Sequence, residues 1–300
     1  MLPIAFHPIY KHPLPEGHRF PMLKYELLPQ QLLHEGIVTE KDFFAPDIID
    51  LQYVLAVHDK AYVEDLLNLT LDPKAARKIG FPLSAELVER ELRIANGTIL
   101  GCEKAFETGV AFNIAGGTHH AFSNRGEAFC MLNDQAIAAK YLLNKKLASK
   151  ILIIDLDVHQ GNGTAEIFQN NSNVFTFSVH GKTNYPFKKE ISDLDIALPD
   201  GTADDAYLKI ISAFVPKLIE QEKPDFIFYL SGVDILETDK LGKLSCSVDG
   251  CKKRDEIVFS NCKKFEIPFQ VSMGGGYSPE IKTIIDAHAN TYRAASELYF

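Results

Sequence analysis

The sequence contains four short motifs whose side chains could bind a metal ion and move protons. In chain order they are Gly116-Gly117-Thr118-His119-His120, Asp155-Leu156-Asp157-Val158-His159, Ser231-Gly232-Val233-Asp234 and Gly274-Gly275-Gly276-Tyr277. Each motif comes after a short apolar run of the kind that forms a buried strand. Because ligands bind beyond the carboxyl ends of the strands in an open parallel sheet, we expect the four motifs to meet at one edge of the sheet.

The run Asp155-x-Asp157-x-His159 indicates a metal site. If the chain stays extended, the alternation of a strand directs the three side chains to the same side. Three such groups in a dry site need a cation to offset their desolvation. Asp234, at the end of another strand, would complete an Asp-His-Asp set. Two carboxylates and one imidazole suit zinc with an open fourth position for water.

The two other motifs could supply proton transfer and oxyanion stabilisation. A histidine titrates in the range that general acid–base catalysis needs, and His119 and His120 follow two glycines that allow a sharp turn. The three glycines before Tyr277 are not followed by the Gly-Lys-Ser/Thr of a phosphate-binding loop. They would instead bring the tyrosine hydroxyl to a developing oxyanion. A metal, a proton shuttle and an oxyanion donor are the components of an amide hydrolase.

Alternating strand and helix patterns must position these motifs. Strands are predicted at Phe112–Ala115, Ile151–Ile154, Val174–Val179, Phe226–Leu230 and Phe269–Ser272, and helices at Ser84–Glu107, Asn133–Leu147, Ala203–Gln221, Gly250–Lys264 and Ser278–Glu297. Pro279 is placed near the first turn of the last helix. The alternation predicts one α/β domain over residues 1–300, with a mostly parallel sheet and helices on both faces. The first 80 residues give no clear pattern.

Composition excludes several classes of function. The net charge of -9 argues against direct binding of nucleic acid or of an anionic membrane surface. No apolar run approaches the roughly 18–20 residues of a membrane span, and the N-terminus does not resemble a secretion signal. The five cysteines show no CxxC spacing, which favours a reduced, cytoplasmic location. The oligomeric state cannot be inferred from the sequence.

In this order, the four motifs resemble those of the zinc-dependent histone deacetylase family, which has the arginase-like α/β fold. The resemblance covers nearly the whole chain. It includes Gly116–Ala121, Asp155–Gly163, Ser231–Asp234 and Gly274–Tyr277. The stretches Asp234–Glu237 and Leu241–Ser245 are most similar to class IV members and their bacterial relatives.

The resemblance implies metal ligands. Zinc would be held by Asp157, His159 and Asp234. A structural potassium ion would be bound by the Asp155 side chain, the backbone carbonyls of Asp157, His159 and Val179, and the Ser178 hydroxyl.

The resemblance also implies catalytic roles. His120 would act as general base and then acid, with His119 as its electrostatic partner, hydrogen-bonded to Asp155. Tyr277 would polarise the substrate carbonyl. Asn162 would orient His120 where class I members use an aspartate, and class II and IV members share the asparagine. Without that negative charge we expect a lower pKa for His120.

Substrate contacts follow from the same resemblance. Phe129 and Tyr185 would flank a narrow tunnel for the acyl-lysine stem, with Leu241 near its mouth. Gly275 belongs to the same substrate-binding set. Arg19 would line an internal pocket beneath the metal. The rim aspartate with which class I members hold the substrate backbone has no counterpart that the sequence identifies.

The substrate class stays open at this point. Relatives act on acetyl-lysine, on longer fatty acyl-lysine and on acetylated polyamines, so the partner is an acyl-lysine peptide or protein or another N-acylated amine. The class IV resemblance favours a long acyl chain, and the small Ala128 beside the tunnel would allow a deeper pocket. Acetylpolyamine hydrolases tend to carry a dimer-forming insertion that this sequence lacks.

Three other interpretations are weaker. Asp-x-Asp after a strand also marks magnesium phosphotransferases of the haloacid dehalogenase type, but that pattern has Thr or Val where this chain has His159. An arginase-like binuclear manganese hydrolase would need further Asp and His ligands. A non-enzymatic acyl-lysine binding module would be expected to have lost a ligand, a histidine or the tyrosine, and all are present.

Overall fold

The apolar runs of the sequence form the strands of one parallel sheet. The computed structural model describes residues 1–300, and its strands are β1 (Ile4–Ala5), β2 (Phe43–Phe44), β3 (Val110–Asn113), β4 (Ile151–Asp155), β5 (Val174–Gly181), β6 (Leu194–Leu198), β7 (Phe226–Leu230) and β8 (Phe269–Ser272). They hydrogen-bond in the order β2-β1-β3-β8-β7-β4-β5-β6, and every neighbouring pair is parallel. The carboxyl ends of all eight strands therefore share one edge.

Ten α-helices cover this sheet. They are α1 (Lys24–His34), α2 (Leu51–Leu55), α3 (Lys60–Leu67), α4 (Pro73–Ile79), α5 (Ala85–Thr108), α6 (Asp134–Asn144), α7 (Asn162–Phe168), α8 (Asp204–Glu222), α9 (Val248–Lys264) and α10 (Ile281–Tyr299). Every residue of β3, β4, β7 and β8 is buried, so both faces of the central sheet are covered. None of the helices is both long and apolar enough to cross a membrane.

Side-chain caps define where several helices begin. The Ser84 hydroxyl accepts a hydrogen bond from the Leu87 amide at the start of α5, at 3.1 Å. Asn133 does the same for α6, where its side-chain oxygen accepts from the Ala136 amide at 3.0 Å. Such caps satisfy backbone donors that have no partner inside the helix.

The predicted α/β class is confirmed, and the sheet is entirely rather than mostly parallel. The prediction missed β6, a half-exposed edge strand, and β1 and β2, which have two residues each. The last helix begins at Ile281 instead of Ser278. Pro279 therefore precedes the helix and does not lie in its first turn.

A buried arginine on α9 ties the ends of two central strands together. The Arg254 guanidinium donates to the carbonyls of Leu156 at 3.3 Å, Gly232 at 2.5 Å and Ser231 at 3.3 Å. Leu156 follows β4, while the other two residues follow β7. The Asp255 carboxylate, also fully buried, balances the charge of Arg254 at 2.8 Å. The guanidinium therefore joins the two loops that carry the Asp-His-Asp set.

Replacing Arg254 by leucine is expected to lower the free energy of unfolding by about 3–5 kcal/mol, because the Asp255 charge stays buried without its cation. Urea denaturation measures this loss. Lys253→Leu is the matched control: the neighbouring side chain is exposed, so its removal should change stability by less than about 0.5 kcal/mol. Equal effects of the two substitutions would contradict this role for Arg254.

Candidate active site

The Asp-His-Asp set assembles in a buried space at the carboxyl edge of the sheet. Asp157 and His159 lie in the loop after β4, and Asp234 lies in the loop after β7. Their ligand atoms all lie within 4.8 Å of one another. His159 Nδ1 is 3.0 Å from Asp157 Oδ1 and 3.1 Å from Asp234 Oδ2.

Backbone amides orient both carboxylates of this set. Asp157 Oδ2 accepts from the Gly275 amide at 2.8 Å, and Asp234 Oδ1 accepts from the Val158 amide at 3.0 Å. Each carboxylate thus keeps its other oxygen directed at His159. Ligands of metal ions are commonly fixed by such outer hydrogen bonds.

The electrostatics of the set favour a positive charge at its centre. Burial lowers the pKa of His159, but hydrogen bonds to Asp157 and Asp234 outweigh burial and raise it to about 10. Burial and the neighbouring Asp157 carboxylate raise the pKa of Asp234 to about 7. Two buried carboxylates and an imidazole therefore compete for protons, and a divalent cation would relieve the same repulsion. The residues fit a metal ion.

Two glycines let the backbone approach these carboxylates closely. A Cβ atom on Gly275 would lie 2.0 Å from Asp234 Oδ2, and one on Gly232 would lie 2.3 Å from Asp157 Oδ2. Any side chain at either position would displace a ligand. Gly232 and Gly275 are thus required by the metal set itself.

The two histidines have different partners. His119 Nδ1 donates to Asp155 Oδ2, and His120 Nδ1 donates to Asn162 Oδ1, both at 2.6 Å. An amide oxygen can only accept, so the proton of neutral His120 is on Nδ1 and its Nε2 is free to accept another. Their rings lie 4.1 Å apart between centroids.

The pKa values of the two histidines diverge as a result. Burial lowers the pKa of His119, but the Asp155 carboxylate outweighs burial and raises it overall. Burial and the neighbouring His119 and His159 lower the pKa of His120 well below its usual value. His120 is therefore the histidine that stays neutral and available as a base.

Tyr277 borders the same two cavities as His120 and His159. Its ring lies 6.4 Å from that of His159, and its backbone amide donates to Asp239 Oδ2 at 2.6 Å. Burial raises the pKa of Tyr277 well above its usual value, so the phenol keeps its proton and can donate it to a hydrogen bond.

A buried lysine supports the loop of Tyr277. Lys24 Nζ donates to the Gly274 carbonyl at 3.1 Å and lies 5.7 Å from the Tyr277 ring centroid. Burial lowers the pKa of Lys24 to about 8. Sequence reasoning missed Lys24, Asp239 and Arg254, because each acts through a contact distant in the chain and belongs to no local motif.

The site opens to the surface through a cavity of about 660 Å³. Its lining includes three predicted substrate contacts, Phe129, Tyr185 and Leu241, together with His120 and Tyr277. Phe129 has a backbone φ of 69°, uncommon for a residue with a side chain. Its amide donates to the Ile79 carbonyl at 2.6 Å, which fixes the ring at the cavity wall.

A second cavity of about 40 Å³ lies on the inner side of the site. Gly275, His120, His159 and Tyr277 border it, and the last three also border the outer cavity. The prediction that Arg19 lines this internal space is wrong. Arg19 is exposed and borders the outer cavity, with its guanidinium 5.0 Å from the Phe129 ring centroid.

The basic residue at the inner cavity is instead Arg90, buried on α5 and paired with Glu91. His18 and Arg19 are adjacent basic residues, but Arg19 itself is exposed. The next residue, Phe20, is the one that is buried. The burial of Arg90 could not be predicted from the sequence, because a charged residue on a long helix usually faces solvent.

The predicted potassium ligands are also neighbours. Asp155 and Ser178 are in register on adjacent strands β4 and β5, and Val179 follows directly. All three are buried. Ser178 Oγ lies 3.0 Å from His180 Nδ1. Binding of a potassium ion here stays a prediction.

The parallel α/β fold carries at its carboxyl edge a buried Asp-His-Asp group that could hold a metal ion. Residues 18–292 match the family model described as "Histone deacetylase domain". The chain therefore belongs to the histone deacetylase family, and this membership supports a deacetylase-type amidohydrolase.

Several proteins are similar to this chain over most of its length. An uncharacterized protein of Picosynechococcus sp. is 45% identical over 297 residues, 99% of each chain. Histone deacetylase 2 of Arabidopsis thaliana is 29% identical, covering 92% of this chain and 74% of its own. The crystal structure of the HDA15 HD domain superposes with a TM-score of 0.80 at 19% identity, covering 99% of this chain and 88% of that one. This last likeness supports the fold.

Gly275→Ala is expected to remove most of the zinc that the protein retains after loading and dialysis, because the new Cβ would displace Asp234. Metal analysis measures the zinc, and circular dichroism checks that the protein is folded. Gly101→Ala is the control: its Cβ would make only an ordinary contact, 3.4 Å from Gln270 Cγ. Full zinc content in folded Gly275→Ala would show that this close approach is not needed.

Proposed function

We propose that the protein is a zinc-dependent amidohydrolase that removes an acetyl group from a lysine side chain or a similar N-acetylated amine. The observation that carries this proposal is a buried Asp157–His159–Asp234 group whose His159 borders both cavities together with His120 and Tyr277. The family and the Arabidopsis thaliana relative named histone deacetylase support the same activity.

The metal ligands would be Asp157, His159 and Asp234. When bound, the zinc would polarise the substrate carbonyl and lower the pKa of the attacking water. His120 Nε2 accepts the proton of this water as its oxygen attacks the carbonyl carbon. The Tyr277 hydroxyl donates a hydrogen bond to the carbonyl oxygen as negative charge develops there.

The same histidine completes the reaction. As the C–N bond breaks, His120 Nε2 gives its proton to the departing amine nitrogen, and the acyl group leaves as a carboxylate that contains the oxygen of water. Asn162 keeps Nδ1 of His120 protonated throughout, at 2.6 Å. The Asp155 carboxylate, 2.6 Å from His119 Nδ1, outweighs burial and raises the pKa of His119, so a proton is favoured on this ring over that of His120.

The outer cavity suits a long, uncharged stem. Phe129 and Tyr185 contribute aromatic walls, and the Tyr185 ring lies 4.9 Å from that of His120. The four methylenes of a lysine side chain would lie between such walls with the amide at the metal. Apolar contact of this kind is favourable in proportion to the area removed from water.

The inner cavity favours a short acyl group. Its volume of about 40 Å³ corresponds to only a few water-sized spheres. Phe20, Phe81 and Arg90 are among the residues that line this cavity. This small volume supports acetyl as the substrate rather than the long acyl chain that the class IV resemblance favours.

The other interpretations have less support. A phosphotransferase would leave the histidine pair and Tyr277 without a role. A binding module would not require Nε2 of His120 to be free. A small-molecule amide remains the second candidate, because the outer cavity is compatible with any N-acetylated amine on a slender stem. A cytoplasmic location stays a prediction, in keeping with five buried cysteines that form no disulfide.

His120→Ala and Tyr277→Phe are each expected to lower kcat for an acetyl-lysine peptide at least about 100-fold while the zinc content stays unchanged. The first removes the base, and the second removes the oxyanion donor. Stopped assays at saturating peptide measure kcat, and metal analysis measures zinc. Near-normal turnover in either variant would contradict the role of that residue.

Acetyl-, butyryl- and octanoyl-lysine peptides of one sequence are expected to be hydrolysed with falling kcat/KM, because the inner cavity cannot hold the longer chains. Asp157→Ala is the metal-free control for each substrate. If octanoyl-lysine were hydrolysed as fast as acetyl-lysine, the inner wall would have to open in solution and the assignment of acetyl would be wrong.

A further inference from the structure

The rim of the outer cavity has the opposite charge to the protein as a whole. Four charged side chains border this cavity: Arg19, Lys78, Lys243 and Glu127. Three are cations and one is an anion, whereas the chain has a net charge of -9. We call the three cations the basic rim.

The one carboxylate at the rim is already paired. Glu127 Oε1 accepts from Arg125 Nε at 2.9 Å, and Glu127 Oε2 accepts from the Tyr185 hydroxyl at 2.6 Å. Both oxygens are therefore occupied by donors of this chain. The Arg125 cation also offsets the charge, so Glu127 has little capacity to attract a cationic substrate.

The cations of the basic rim are more available. Arg19 is exposed and lies over the Phe129 ring, and Lys78 is exposed in the last turn of α4. Lys243 Nζ donates to Thr183 Oγ1 at 2.8 Å and lies 3.9 Å from Asp200 Oδ2. Asp200 offsets part of the Lys243 charge but does not border the cavity. The rim thus keeps a net positive charge where a substrate enters.

Given the proposed function, on which this inference rests, we infer that the enzyme selects N-acetylated amines that carry a carboxylate just outside the tunnel. The carboxylate belongs either to an aspartate or glutamate beside the acetyl-lysine of a peptide, or to free acetyl-lysine itself. An acetylated polyamine presents ammonium groups at this position and is repelled. Charged residues at a rim act mainly by steering the substrate towards the site and by disfavouring substrates of the same charge.

The test compares three acetyl-lysine peptides that differ only in the two flanking residues, which are Asp, Asn or Lys. The Asp peptide is expected to exceed the Asn peptide about fivefold in kcat/KM at low salt, with the Lys peptide lowest. The difference should shrink in about 1 M NaCl, because salt screens exposed charges. Free acetyl-lysine and its carboxamide, compared in the same way, identify which source of carboxylate is preferred.

Charge reversal connects the effect to the rim. The double variant Lys78→Glu/Lys243→Glu is expected to invert the order of the Asp and Lys peptides. Lys209→Glu, an exposed change on α8 outside the cavity, should preserve the wild-type order. The ratio between peptides is taken within each variant, so a general loss of activity does not enter. Equal kcat/KM for the three peptides, or an unchanged order in the double variant, would overturn the inference.

Binding distinguishes this inference from the proposed function. The affinity of the zinc-loaded protein for the same three peptides is measured by fluorescence anisotropy. Tighter binding of the Asp peptide without turnover of any peptide would contradict the amidohydrolase and support the basic rim. Equal binding of all three would overturn the basic rim whether or not the peptides are hydrolysed.

Discussion

The active site depends on holding two buried carboxylates close together before any cation neutralises them. Asp157 and Asp234 repel one another in a medium of low polarity, so the two loops that carry them must be held together. Arg254 holds the two loops together, since its guanidinium donates hydrogen bonds to backbone carbonyls of both. Amides of Gly275 and Val158 then aim the oxygens. The buried Arg254 cation thus contacts the backbone of the two loops, while side chains of the same loops form the candidate metal site.

The same logic explains why the paired histidines behave differently. Their rings are nearly in contact, so one proton on either ring disfavours a second. A carboxylate behind His119 and an amide behind His120 decide which ring has the charge. Pairs of groups whose surroundings separate their pKa values are a common basis for dividing acid and base roles. Here the buried Asp155 and Asn162 separate the pKa values of His119 and His120.

The sequence predicted the parts of this site that lie directly after buried strands. Apolar runs such as those of β4 and β7 have a recognisable pattern, and parallel strands necessarily bring their carboxyl ends together. The supports of the site were not predictable in this way. Lys24, Arg90 and Arg254 lie on helices, where a lone basic residue usually faces solvent, and only the packing of α1, α5 and α9 turns them inward. The short strands β1 and β2 likewise form by pairing with neighbouring strands, and their two residues each show no hydrophobic pattern that would predict a strand.

Under the proposed function, the inner and outer cavities would select substrates by different physical interactions. At the inner cavity, aromatic side chains and the buried Arg90 line a small space, and closely packed interiors respond to added volume by strain. Selection there would be by size and would not depend on salt. At the outer end the charges are exposed, so their effect is modest, acts over several ångströms and is screened by ions. Discrimination of acyl groups by size would therefore be independent of discrimination of the amine by charge.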